Sequence, residues 1–250
     1  MFLKLLNLLL PICNVLYLYY INLDPSRFNL FTILFVVLNL LFLILSLLFF
    51  KPNPKSLTNL FSYFLFIISL VVCFIFIKDD FLKIAIYFIG FLMSFLSLKH
   101  IRYLIVHNRE NYFLNDVDFY IFLFSSFLAT SSLFAFNIFL GLNKFLLTII
   151  VFIYFFIFYF CVYYYNTKNI KDVYKYIFAS SLVSSEVFVV VSFLPYSFYV
   201  NAIIVLLFNF VLSSVMKDYL FNKFNSSYLK RMLIISILLL VAILITAKRV

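Results

Sequence analysis

Glu186 is the only acid in residues 176–210, an apolar stretch interrupted by the turn Leu194-Pro195-Tyr196-Ser197. At about 1.5 Å per residue, residues 176–194 cross a hydrocarbon core of roughly 30 Å, which puts Glu186 near the midplane. A bare carboxylate at that depth is costly, so the group is expected to be protonated or hydrogen-bonded to a neighbouring helix. The helical step of about 100° gathers Ala179, Leu182, Val183, Val189, Val190 and Phe193 within about 60° of Glu186. Ser180, Ser181, Ser184, Ser185 and Ser192 lie on the other side. Two neighbours are therefore expected: a helix with a polar partner for Glu186, and another packed closely on the small serines. Asn209 on the following helix and Asn137 on the fifth span are the expected partners, and Asn39 is a further polar residue inside a span. These four residues make up the candidate intramembrane polar site. A membrane asparagine more often bridges helices than binds a substrate.

The remaining acids carry weaker signals. Asp79-Asp80 has the look of the metal-binding pairs of prenyl-transfer enzymes, yet Lys83 stands where a further acid is needed, and Asp before a helix is a common cap. Asp116-x-Asp118 has the spacing of a nucleotide-sugar metal motif, but it also precedes a helix, where Asp complements the dipole. Asp24 lies in an outer loop too short to form a sugar site. The two histidines, His100 and His107, are seven apart and lack the HExxH spacing of a metalloprotease. Cys13, Cys73 and Cys161 lie singly inside hydrophobic spans, which points to packing and indicates neither a disulfide framework nor a metal site.

Gly90 and Gly141 are the only glycines, so GxSxG, GxGxxG and phosphate-loop motifs are all absent. The chain is read as leaning away from enzymatic activity, with no cofactor and no catalytic or metal residue assigned. Scarce Gly and Pro within the spans also disfavour a rocking carrier, which commonly uses broken helices and close crossings.

The elements that must position these residues follow from composition. The 250 residues are 67% hydrophobic and 11% charged, against about 25% charged in soluble domains. This describes an all-α, polytopic transmembrane bundle: one integral-membrane domain over residues 1–250 with about nine spans, or eight. The lipid bilayer is its first partner. The net charge of +10 is dispersed among short loops and forms no patch or arm, so a nucleic-acid partner is not expected.

Residues 1–21, with Lys4 ahead of an apolar run and no small-x-small cleavage site, are expected to be a retained first helix. Further spans are expected at residues 30–50, 60–77, 81–98, 119–142, 145–165, 176–194, 202–215 and 232–246. Residues 99–118, which mix basic and apolar side chains, are expected to prolong the fourth helix along the membrane surface. Lys and Arg concentrate in alternate loops, around Lys51, Arg102, Lys171 and Lys223, so the amino terminus is expected inside and the carboxyl terminus outside. Asp116-Val117-Asp118-Phe119-Tyr120-Ile121-Phe122 matches Asp172-Val173-Tyr174-Lys175-Tyr176-Ile177-Phe178 at five of seven positions. A duplicated hairpin, 116–165 and 172–215, is one reading of this match.

Ser185-Glu186-Val187-Phe188 and the run from Phe193-Leu194-Pro195-Tyr196-Ser197 through Phe198-Tyr199-Val200-Asn201-Ala202 resemble the carboxyl-terminal part of an uncharacterised family. Its members are small polytopic membrane proteins of candidate-phyla bacteria with reduced genomes. The resemblance covers about one helical hairpin, lacks a Trp associated with the family after the acid, and implies a multi-pass protein of the bacterial inner membrane without naming an activity. The leading functional expectation is a noncatalytic membrane component that packs with partner membrane proteins, since small loops and bulky spans leave little to build a site from. The alternative is a channel or carrier for a small solute or lipid intermediate, using Glu186. An enzyme on lipid-linked substrates comes third.

Overall fold

The computed structural model describes residues 2–23, 35, 37–39, 41–42, 54–107, 112–164, 170–220 and 226–247. Among them the chain is all-helical. The helices are α1 (Phe2–Leu23), α2 (Pro54–Phe74), α3 (Asp80–His107), α4 (Tyr112–Leu140), α5 (Lys144–Tyr164), α6 (Ile170–Val191), α7 (Phe198–Leu220) and α8 (Ser226–Thr246). Between α1 and α2, Phe35, Asn39 and Phe42 are among the few described positions, all helical. The rest of the expected second span, residues 30–50, lies outside the described residues, as does Asp24. The chain divides into two compact units, Met1–Phe122 and Leu123–Val250. The division falls inside α4, at a point that no change in hydrophobicity marks.

In the first unit, α1 and α2 both pack against α3. α1 turns Leu10, Asn14, Tyr17, Leu18 and Ile21 inward, the i, i+4, i+7, i+8, i+11 spacing of one helical face. α2 opens on Pro54, whose missing N–H falls where a helix has no acceptor for it. It ends with Phe76 N donating to Cys73 O (3.1 Å) and Ile77 N to Phe74 O (3.2 Å). The Asp79 carboxylate then accepts from Phe81 N (2.8 Å) and Leu82 N (3.2 Å), capping two of the free donors of α3. Lys83 does not merely reach for water, since its Nζ donates to Asn22 Oδ1 (2.8 Å) and pairs with Asp80 (3.2 Å). The contact ties the last turn of α1 to the first of α3, so the two run antiparallel. At Gly90 a Cβ would come within 2.8 Å of Leu70 Cδ1, so α3 passes close to α2 there.

α3 runs past residue 98 to His107, and Leu98, Ile101 and Leu104 in this part are buried. α4 starts at Tyr112, so residues 112–118, expected to prolong the preceding helix, open this one.

In the second unit α5 packs on α6, α7 on both α5 and α6, and α8 on α7. The turn between α4 and α5 is built from Gly141, whose φ of 62° suits glycine, and from Asn143, whose Oδ1 accepts from Phe145 N (2.9 Å). Ser180, Ser181, Ser184 and Ser185 of α6 are buried, and the buried rings of Tyr159 and Tyr163 on α5 meet Ser184 and Ser180. Small residues on one helix leave room for large rings on the other. The Phe134 and Phe188 rings stack at 4.3 Å, bringing the second half of α4 onto α6.

Candidate functional site

The first unit carries a buried polar cluster near one end of its helices. α2 and α4 begin at that end and α3 finishes there, so Asn59, His100 and Asp118 meet although they lie 41 and 18 residues apart. Each sits within about 7–11 Å of its helix end at 1.5 Å per residue. All three are buried, His100 to 1% exposure. His100 Nδ1 is hydrogen-bonded to Asp118 Oδ2, and Asn59 Nδ2 donates to the same oxygen at 2.7 Å. With Asp118 ionised the carboxylate only accepts, which makes Nδ1 the donor of this bond, and in the neutral ring Nε2 then holds the lone pair. Nε2 is buried and has no hydrogen-bond partner among the described residues.

This cluster corrects the sequence reading of Asp118. The Asp-x-Asp pair does not precede a helix: Asp118 lies inside α4, six residues past Tyr112, where it accepts from His100 and Asn59 and caps nothing. The signal that points to His100 is periodicity. It shares a helical face with Ser97, Ile101 and Leu104, all buried. Nothing comparable marks Asn59. Among the described residues no three His, Cys, Asp or Glu side chains gather as metal ligands, and Cys13, Cys73 and Cys161 form no disulfide.

A second network in the same unit joins Asn14, Asn39 and Tyr63. Asn14 Nδ2 donates to Tyr63 Oη (2.8 Å), and Asn39 Nδ2 donates to Phe35 O (3.0 Å) and more weakly to Asn14 Oδ1 (3.4 Å). Asn39 thus bridges helices by way of another asparagine.

In the second unit the serine stripe of α6 meets α5 in two rungs one helical turn apart. Tyr163 and Ser180 hydroxyls lie 3.3 Å apart, and Tyr159 and Ser184 hydroxyls 2.8 Å apart. Asn209 of α7 completes the second rung, its Oδ1 accepting from Tyr159 (2.7 Å) and Ser184 (2.6 Å).

Glu186 takes no part in this. The expected contacts with Asn209 and Asn137 are not made, for Asn209 is engaged by Tyr159 and Ser184, and Asn137 Nδ2 donates to Leu142 O (3.0 Å) at the end of α4. Glu186 stands two residues, about 200° of helical turn, from Ser184. Once the serines turn inward, the acid points outward. It is exposed on a face with Val183 and Val190, also exposed. Its depth differs too: α6 ends at Val191, so Glu186 lies about 7.5 Å inside the helix end and not at mid-helix.

Among the described residues, six helices are long and apolar enough to cross a membrane: Asp80–Ile105, Val117–Leu140, Lys144–Tyr163, Val173–Val191, Phe198–Leu220 and Leu229–Thr246. Leu9–Leu23 and Thr58–Phe74 are shorter apolar helices. Fold and polar clusters together describe an all-helical chain with the pattern of a multi-pass membrane protein. Comparison with known proteins gives no match to a family model, a curated protein or a solved structure.

Proposed function

We propose that this protein is a noncatalytic membrane component that packs with partner membrane proteins, and that the outer face of α6 is where it does so. The observation that carries this reading is Glu186, an exposed carboxyl within the apolar span Val173–Val191. Exposed Leu, Ile and Val side chains suit lipid, as on α8, where Ile234, Ile235, Ile237 and Leu238 are exposed. An acid in a span does not suit lipid, and such groups are almost always satisfied by other protein groups or water. A partner helix offering a hydrogen-bond donor at the depth of Glu186 meets that requirement. The carrier reading loses support for the same reason, because Glu186 points away from the polar rungs inside its unit.

Affinity purification in mild detergent tests the proposal. Glu186→Gln is expected to retain the copurifying membrane proteins of the parent, and Glu186→Leu to lose most of them, with the fold of either variant unchanged. Equal partner recovery with Glu186→Leu would refute the docking role, and robust solute flux by the purified protein in liposomes would favour the carrier.

The proposal extends to placement in the membrane. Nine spans, counting the two shorter helices and residues 30–50, with the amino terminus in the cytoplasm of a bacterial inner membrane, agree with the distribution of Lys and Arg. Topology reporters or cysteine accessibility at Lys55, Arg109, Lys171 and Lys223 are expected to place all four sites in the cytoplasm. Two or more of them on the outer side would rule out this threading.

A further inference from the structure

We propose that His100, held by Asp118 and Asn59, is a proton-binding site whose accepting atom is His100 Nε2. The proposal stands apart from the docking face of α6 and rests on the geometry of the first unit. A buried imidazole commonly has both ring nitrogens occupied. Here Nδ1–H is committed to the Asp118 carboxylate, while Nε2 is buried and unpartnered among the described residues. A histidine so oriented presents one basic lone pair in a fixed direction, with a carboxylate in place to balance the charge that protonation creates. Proton uptake forms an N–H bond at Nε2 and gives an imidazolium beside a carboxylate, with the proton supplied by water; release reverses it. Asn59 keeps the carboxylate in position through its 2.7 Å bond to Oδ2.

The charged surroundings fit a proton better than a cation or an organic ligand. Among the described side chains, Asp118 is the titratable group that faces His100 from α4, and the neutral Asn59 faces it from α2. On α3 itself Lys99 and Arg102 flank the histidine without being buried with it. Lys4 on α1, Lys55 on α2 and Asp116 on α4 belong to the same end of the unit by their positions in the helices. One carboxylate and one imidazole make too small a donor set for a metal ion. The cluster lies about 7–11 Å inside the helix ends.

Nitrogen-15 NMR of labelled histidine in lipid nanodiscs reads the site directly. The chain has two histidines, so a His107→Gln background leaves His100 as the only signal. On the alkaline side the Nδ1–H tautomer is expected in about tenfold excess or more, the preference a charge-assisted hydrogen bond supports. On acidification Nε2 is expected to gain a proton reversibly, giving the imidazolium. Asp118→Asn, which replaces the carboxylate by a neutral acceptor, is expected to shrink the tautomer excess by about threefold or more. An Nε2–H neutral form in the parent protein overturns the proposal, as does a ring that takes no second proton on acidification. An unchanged tautomer ratio in Asp118→Asn also overturns it. The first two readings come from the chain with its cluster intact and hold even if the Asp118 variant fails to fold.

Discussion

Asp118→Leu is expected to destabilise the protein by about 2–6 kcal/mol, because it strands two buried donors, His100 Nδ1–H and Asn59 Nδ2, at about 1–3 kcal/mol each. Both donors now end on one carboxylate oxygen, and all three side chains are buried, so no solvent is on hand to replace the acceptor. Asp118→Asn is the control. Its amide oxygen can accept both bonds, and the cost is expected to fall to about 1–2 kcal/mol, the difference between a charged and a neutral acceptor. Detergent-titrated unfolding in mixed micelles measures both. Equal stability of the leucine variant and the parent would mean that the cluster does not hold α2, α3 and the first turns of α4 together.

Tyr159→Ala is expected to be comparably severe, at about 3–5 kcal/mol, the usual cost of truncating a buried aromatic ring to a methyl group. The Tyr159 side chain is fully buried and lies among Phe155, Phe158 and Tyr163, with ring centroids 6.0, 5.1 and 5.4 Å away. In a bilayer, helices associate largely through close packing, since lipid is as apolar as the protein surface. A void at this point therefore removes the contacts that hold α5 on α6. Tyr159→Phe separates packing from polarity. It deletes the hydroxyl that donates to Asn209 and touches Ser184 while keeping the ring, and membrane hydrogen bonds average only about 0.6 kcal/mol with a maximum near 1.7. The same unfolding measurement should thus show a several-fold gap between the two variants. A phenylalanine variant as unstable as the alanine one would show that the hydroxyl network, not the ring, dominates.

Helix existence was legible in the sequence to different degrees along the chain. The apolar runs of α5 and α7, bounded by Asn143 and by the Pro195 turn, announce themselves, because a bilayer demands about 20 apolar residues and turn-formers mark their ends. The ends of α3 and α4 were not legible. The mixture of basic and apolar residues between 99 and 118 reads as a surface prolongation of one helix, and nothing local in it marks where α3 stops at His107 or where α4 begins at Tyr112. The serine stripe of α6 was visible as a pattern of small residues, whereas its partners, Tyr159 and Tyr163, lie on another helix whose facing side no local rule selects.

By itself the sequence determined that this chain is helical and apolar enough to cross a membrane several times, since the length of an apolar run and the need to satisfy every backbone N–H and C=O internally leave no other structure. It also determined that Glu186 and the serines of α6 occupy different sides of one helix, a consequence of the 3.6-residue turn alone. The tertiary structure decided which of those sides turns inward. Both are compatible with a membrane helix, and the choice goes to the serines because two tyrosines and Asn209 complete their hydrogen bonds there. The structure likewise decided that His100 meets Asp118 and Asn59. Their pairing spans three helices, and its physical basis, a buried carboxylate that must find donors within reach, has no local imprint on the residues beside any one of them.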